Sequence, residues 1–244
     1  MNIKELIEQI KENFRFNKQE LVSISILILI TAFIFSFRDW GNEIFDLGIG
    51  LSHWFTLLIL AGITFFFRMS CQKIYGLSQG HKAEFKVWWA GLLISFLFII
   101  ISGGYVPIIL SGAMITSFMV RQRLGEFRYG FSYGVNGTIA LWGILGNLIL
   151  AVIFAIGNYF FPQNYFFTKG LILNVIMAFC ALIPLPQLDG LNLFFGSRTF
   201  YVIGIFATIL TAVLLLTGTK IGLILAIVLG LTAALIYILI GSEK

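Results

Sequence analysis

This chain of 244 residues has little of what soluble proteins use: 11% of its residues are charged, and it contains two histidines, two cysteines and four prolines. Two cysteines exclude a disulfide framework. A hydrophobic content of 59% and a mean hydropathy of +0.98 exclude a soluble globular domain. No Pro/Ser-rich linker or fixed-period repeat divides the chain, so we expect one membrane-embedded domain at 21–244 after an amino-terminal segment at 1–20.

The positive charge of the chain has a simple explanation in a membrane. The net charge is +5, but the basic residues lie in short clusters at the ends of apolar runs rather than along one face. This arrangement is typical of orientation in a bilayer and argues against a nucleic-acid partner. Clusters before residue 20, at 68–86 and at 121–128 predict that the amino terminus is cytoplasmic, and that the later region around Asp189 is cytoplasmic as well.

Apolar residues of the first segment recur at helical spacing, at positions 3, 6, 7, 10 and 14, with charged residues between them. The pattern predicts a short amphipathic helix that lies on the membrane surface. A helix that binds a partner protein would show the same pattern.

Long apolar stretches predict an all-α polytopic membrane protein with about six transmembrane helices, because a span needs about 20 apolar residues. The candidate spans are 21–37, 45–67, 137–161, 170–184, 200–217 and 221–240. The stretch at 88–120 is interrupted by Gly103, Gly104 and Pro107. It fits either a helical hairpin or a strand followed by a re-entrant segment and one helix.

The most informative polar residue is Asp189, which follows Pro184 and Pro186 in an otherwise apolar run. An ionisable group within a membrane is costly and marks a functional site by default. Irregular backbone at that depth needs a protein or water-filled surrounding, so Asp189 is expected to face an interior. A turn at the membrane surface is the alternative.

The run from Pro184 to Gly190 resembles the Pro-x-Pro-x-Leu-Asp-Gly motif of the site-2 proteases, a family of intramembrane zinc metalloproteases. Four other elements agree with the family in their order along the chain. Gly143 to Asn147 resembles the family's Gly-Pro-x-x-Asn element, with Ile144 in place of proline. A Tyr-Gly turn at Gly76 and the segment Ser111 to Met114 resemble archaeal-type members. An edge strand of that type matches Ala83, Glu84, Phe85, Lys86, Val87 and Trp88. The resemblance covers about residues 44–200 and implies a protease-like core with a short membrane-associated strand.

The catalytic motif of that family, His-Glu-x-x-His, is not in this chain. The matching positions carry Arg68, Met69 and Gln72, so two zinc-binding imidazoles and the general base are replaced. Arginine is a permanent cation, and a methionine takes no proton from water. Asp189 is then the one surviving ligand position, Cys71 is a weak substitute ligand, and we expect no zinc. Arg68 either pairs with Asp189 or extends to the lipid headgroups.

The resemblance therefore implies a catalytically inactive protease-like protein that binds transmembrane segments of other proteins. The strand at 83–88 and Asn147 are the expected client contacts, and the structural motif residues are Gly143, Pro184, Pro186, Leu188 and Gly190. Two alternatives stay open: an active intramembrane metalloendopeptidase with a divergent zinc site, and a small transporter or channel that uses Asp189.

Overall fold

A computed structural model describes residues 3–41, 45–118 and 133–242, so the basic cluster at 121–128 lies outside the described residues. The described helices are α1 (Ile3–Asn13), α2 (Lys18–Ser36), α3 (Leu47–Ser78), α4 (Trp89–Ile101), α5 (Tyr133–Phe160), α6 (Tyr165–Leu182), α7 (Asp189–Gly196), α8 (Arg198–Leu216) and α9 (Lys220–Ser242). The two described strands are β1 (His81–Val87) and β2 (Gly112–Phe118).

Five of these helices, α2, α3, α5, α6 and α8, are long and apolar enough to cross a membrane. Helix α4 is apolar but shorter, and residues 220–232 of α9 are apolar as well. Large apolar side chains are exposed on the outer faces, such as Phe206 at 69% and Ile221 at 72%, where a bilayer would solvate them. The prediction of an all-α polytopic membrane protein with a short strand region is confirmed. Helix α1 forms as predicted, and its place on a membrane surface stays a prediction.

Helix α3 is longer than the sequence predicted. It continues past Phe67 to Ser78, and its last part buries Arg68, Gln72 and Lys73. Their polar groups are satisfied by other elements of the protein rather than by water, so these residues do not mark the end of the helix. Gly76, predicted to form a turn, instead lies within α3, where the carbonyl oxygen of His81 would be 3.2 Å from an added Cβ.

The stretch at 88–120 is neither of the two arrangements that the sequence predicted. Helix α4 follows β1 directly, and the chain then returns to form β2, which pairs antiparallel with β1. The return is fixed where the hydroxyl of Ser95 in α4 accepts a hydrogen bond of 2.9 Å from the backbone of Leu110. The left-handed backbone of Gly103 and Gly104 forms the reversal after α4.

Helix α5 lies at the centre of the bundle, against α3, α6 and α7. Close packing is possible where glycines face one another: an added Cβ on Gly137 would be 2.9 Å from Cα of Gly196 in α7. The start of α2, the last part of α3, β1 and the start of α7 meet at one end of the bundle. Asp189 and the segment at 68–86 therefore share one end, as the sequence predicted.

Candidate functional site

Asp189 is held inside the protein by the turn that precedes it. The two prolines cannot continue α6, which ends at Leu182, and Gln187 adopts a left-handed conformation with φ of 65°. The chain re-enters the protein at Leu188, and Asp189 begins α7 with 1% of its surface exposed. Of the two interpretations of this motif, the structure has the carboxylate facing an interior and not a turn at the membrane surface.

Gly190 makes this re-entry possible. An added Cβ would lie 2.4 Å from the carbonyl oxygen of Leu182 and 2.6 Å from that of Ile183. Both atoms belong to the backbone and cannot rotate away, so only glycine allows the start of α7 to touch the end of α6. Packing thus explains the glycine of the Asp-Gly pair.

The two carboxylate oxygens of Asp189 have three donors. Arg68 Nη2 donates to Oδ2 at 2.6 Å, and Gln72 Nε2 donates to the same oxygen at 2.9 Å. The backbone N–H of Met114 in β2 donates to Oδ1 at 3.4 Å. Arg68 and Gln72 lie one helical turn apart on α3, so both side chains leave the same face. Arg68 is 2% exposed and Gln72 1% exposed, so the cluster is buried.

Of the two roles considered for Arg68, the structure has the pairing with Asp189. The guanidinium forms a buried ion pair with that carboxylate and does not extend to the lipid headgroups. The fold thus brings together positions 68, 72 and 189, which the resemblance assigns to metal ligands. Charge-assisted hydrogen bonds of this length are strong, and the buried carboxylate needs them.

The side chains around Asp189 do not fit a zinc ion. A guanidinium repels the metal and an amide is a poor ligand, while zinc sites use thiolate, imidazole and carboxylate. Within the described ranges no three His, Cys, Asp or Glu side chains group as a metal site. Cys71 faces α5, where its Sγ would be 3.4 Å from a Cβ added to Gly146. The absence of zinc stays a prediction.

Helix α5 closes the cluster from the side with two glycines. An added Cβ on Gly143 would be 2.4 Å from Gln72 Nε2, and one on Gly146 would be 3.4 Å from Cα of Arg68. The missing Cβ at Gly143 lets α5 lie directly against the polar face of α3, whereas a Cβ at Gly146 would make only ordinary contact. The resemblance placed Gly143 in a motif, and the packing gives the physical reason.

Asn147, one turn beyond Gly143 on α5, is completely buried, and neither Oδ1 nor Nδ2 of its amide has a hydrogen-bond partner among the described residues. Buried polar groups are nearly always paired, and an unpaired one costs about 1–3 kcal/mol. The amide is thus the most evident unused hydrogen-bonding group near the cluster.

The predicted client strand corresponds to β1, with Trp88 directly after it, and its alternate residues Ala83 and Phe85 are buried. The backbone N–H of Phe85 donates to Glu20 Oε1 at 2.8 Å, and Glu20 Oε2 accepts from Lys73 Nζ at 2.9 Å. Sequence reasoning missed Glu20 and treated Lys73 only as a basic flank. A carboxylate at the very start of an apolar span was the signal available.

A comparison with curated proteins finds a relative from Methanocaldococcus jannaschii that carries the name "Putative zinc metalloprotease". The two sequences are 27% identical over 181 residues, which is 72% of this chain and 84% of the relative. No protein-family model matches the chain, and no solved structure matches it. The chain is thus similar to a protein named as a zinc metalloprotease, and five of its described helices are long and apolar enough to cross a membrane.

Proposed function

We propose that this protein is a catalytically inactive relative of intramembrane metalloproteases that binds transmembrane segments of other membrane proteins. The observation that carries the proposal is that Arg68, Gln72 and the backbone of Met114 donate hydrogen bonds to the carboxylate of Asp189. A carboxylate engaged by a guanidinium at 2.6 Å is not free to bind a metal.

Inactivity follows from the chemistry of the residues at this position. Hydrolysis of a peptide bond by a metalloprotease needs a metal-activated water and a general base. Met69 occupies the position of the base, and it is 1% exposed and has no basic atom. The buried polar centre of the fold is kept by the ion pair, which needs neither metal nor water.

Client binding is supported by the amide of Asn147, which has no hydrogen-bond partner in the part of the chain that the structure describes. A transmembrane segment whose helix is locally unwound exposes backbone N–H and C=O groups, which need partners within the membrane. The amide of Asn147 offers one donor group and one acceptor close to the two glycines of α5. The proposed partners are therefore lipid, around the exposed apolar side chains, and locally unwound transmembrane segments, at the amide of Asn147.

The metal content of the detergent-purified protein tests inactivity. We expect no zinc in the intact chain, and about one zinc per chain in the triple variant Arg68→His/Met69→Glu/Gln72→His, which restores the missing motif. Adding Asp189→Ala to the triple variant should remove that zinc. Stoichiometric zinc in the intact chain that disappears with Asp189→Ala would overturn the proposal and favour the divergent metalloendopeptidase.

Crosslinking in nanodiscs tests client binding. The probe is a synthetic peptide of about 20 Leu and Ala residues with a central Asn-Gly pair and a photoreactive diazirine beside it. We expect the peptide to crosslink to the intact chain and less to Asn147→Leu, which keeps the volume but removes the amide. Ile153→Leu is the matched control, because Ile153 lies on the same helix and is 51% exposed. Equal yields in all three chains, or no crosslink at all, would contradict the proposal.

A further inference from the structure

The outer edge of β1 is defined by the pairing of the sheet. Phe85 lies opposite Met114 in the antiparallel register. The N–H of Phe85 points to Glu20 and that of Met114 to Asp189, so this pair does not share hydrogen bonds. Alternate residues of β1, among them Ala83, Phe85 and Val87, therefore direct their backbone groups away from β2. An extended segment could pair with β1 only along this edge.

A short segment of the chain closes this edge. We name residues 14–20 the strap: it comprises the extended link between α1 and α2 and the first turn of α2. The Glu20 side chain, in a residue 5% exposed, accepts from the backbone N–H of Phe85. The cavity between Phe14 and Arg15 of the strap and Lys82 and Ala83 of β1 measures about 10 Å³, room for one water at most.

Lys73 fastens the strap to α3. Its ammonium donates to Glu20 Oε2 at 2.9 Å and to the carbonyl oxygen of Arg15 at 3.1 Å, and it lies 4.6 Å from the centre of the Phe16 ring. Phe16 also packs edge-on against Phe66 of α3. One buried lysine thus holds the carboxylate, the backbone and an aromatic ring of the strap.

Helix capping accounts for only part of this arrangement. Glu20 Oε2 accepts from the backbone N–H of Asn17 at 3.2 Å, as a glutamate in the first turn of a helix commonly does. Such a cap needs neither a buried lysine nor a contact with a strand 65 residues away. Burial of an ion pair is costly, so the buried Lys73–Glu20 pair and the contact of Glu20 with β1 need a separate explanation.

We infer that the strap is an intramolecular gate: the Lys73–Glu20 pair closes the outer edge of β1, and the strap must leave before a client segment pairs with that strand. The inference rests on the proposed function, since a gate needs a client. The strap holds the edge closed in the resting protein, and a client segment has to compete with Glu20 for the N–H of Phe85.

Hydrogen exchange of the backbone at 81–87 tests the closure without any client. The variant Glu20→Leu/Lys73→Met removes both charges and the acceptor, and we expect exchange to accelerate at least about tenfold, the effect of losing one charge-assisted hydrogen bond. Glu20→Lys/Lys73→Glu keeps an ion pair but removes the acceptor, and should behave alike. The pair Asp39–Lys169 at the other end of the bundle supplies the control, Asp39→Asn/Lys169→Met, which should leave this exchange unchanged. Unchanged exchange in both folded Glu20 variants would overturn the inference.

The diazirine peptide in nanodiscs tests the gate. Opening the edge raises the population able to bind, so we expect up to about tenfold more crosslinking in the Glu20→Leu/Lys73→Met variant than in the intact chain. If exchange accelerates while crosslinking stays at the level of the intact chain, the strap is not a gate and the proposed function stands. If the peptide crosslinks to no variant, client binding itself is wrong.

Discussion

The two ends of the bundle each hold an ion pair with the same separation of 2.6 Å, but in different surroundings. At one end the side chains of Arg68 and Asp189 are 3% and 1% exposed; at the other, those of Lys169 and Asp39 are 25% and 19% exposed. Desolvation decides what such a pair is worth. Removing one partner of a buried pair leaves an uncompensated charge and costs much stability, whereas water screens the charges of a partly solvated pair.

The partners of each pair differ as well. Asp189 has an amide and a backbone donor besides the arginine. Asp39 accepts from the hydroxyl of Tyr165 at 2.6 Å, and its carbonyl oxygen lies 2.8 Å from His53 Nδ1. His53 stacks on Tyr165 with ring centres 4.0 Å apart. The partly exposed end thus joins the turn after α2 to α3 and α6 through ring stacking and hydrogen bonds as well as through charge.

The largest effect is expected for Asp189→Ala, which leaves the Arg68 guanidinium buried without its counter-charge. The free energy of unfolding in detergent should fall by about 3–5 kcal/mol. Arg68→Met should cost a similar amount, and the double variant Arg68→Met/Asp189→Ala should lose clearly less than the two single losses added together, because it leaves no unpaired charge. Losses that simply add in the double variant would show that the two residues do not act as a pair.

The next effect is expected for Gly190→Ala, where the new Cβ meets the backbone oxygens of Leu182 and Ile183. Overpacking against atoms that cannot rotate should cost about 1–3 kcal/mol, measured by the same unfolding assay. Gly62→Ala is the matched control, because nothing lies within 4 Å of its added Cβ, and it should be neutral or stabilising. Equal losses at both positions would contradict the packing argument.

A smaller effect is expected for Gly143→Ala, whose Cβ would displace the amide of Gln72 from Asp189. The side chain of Gln72 is flexible, so the change should cost about one hydrogen bond, or 1–2 kcal/mol. Gln72→Leu should remove the same interaction, and the two changes combined should cost less than their sum. Full additivity in this cycle would mean that Gly143 does not act through Gln72.

The smallest effect is expected for Lys169→Met at the partly exposed end. Loss of this pair should cost about 0–1 kcal/mol, since solvent screens both charges. The loss should shrink further when the salt concentration is raised from 0.05 to about 0.5 M. The stability of the Arg68–Asp189 end should change little over the same range. A cost near that of Asp189→Ala would remove the contrast between the two ends.

Much of the fold could be predicted from the sequence. Long apolar runs and the scarcity of charge specify a polytopic helical protein, since backbone groups in a bilayer must be satisfied within each segment. The prolines before Asp189 specify the break after α6. The stretch at 88–120 could not be predicted, because β2 is short and forms only by pairing with β1, which precedes the stretch. The extension of α3 depended on partners of Arg68, Gln72 and Lys73 that lie far away in the chain.

The sequence by itself determined that the chain holds two histidines and no His-Glu-x-x-His run, and that Asp189 is an ionisable group among apolar residues. The chemical nature of a side chain follows from the residue type alone and does not depend on the fold. The tertiary structure alone decided that Arg68 and Gln72 meet Asp189, 121 and 117 residues away, and that Glu20 closes the edge of β1. Such pairings depend on which helix faces come into contact. The backbones approach closely at Gly143 and Gly190, and this approach is a property of tertiary packing, not of local sequence.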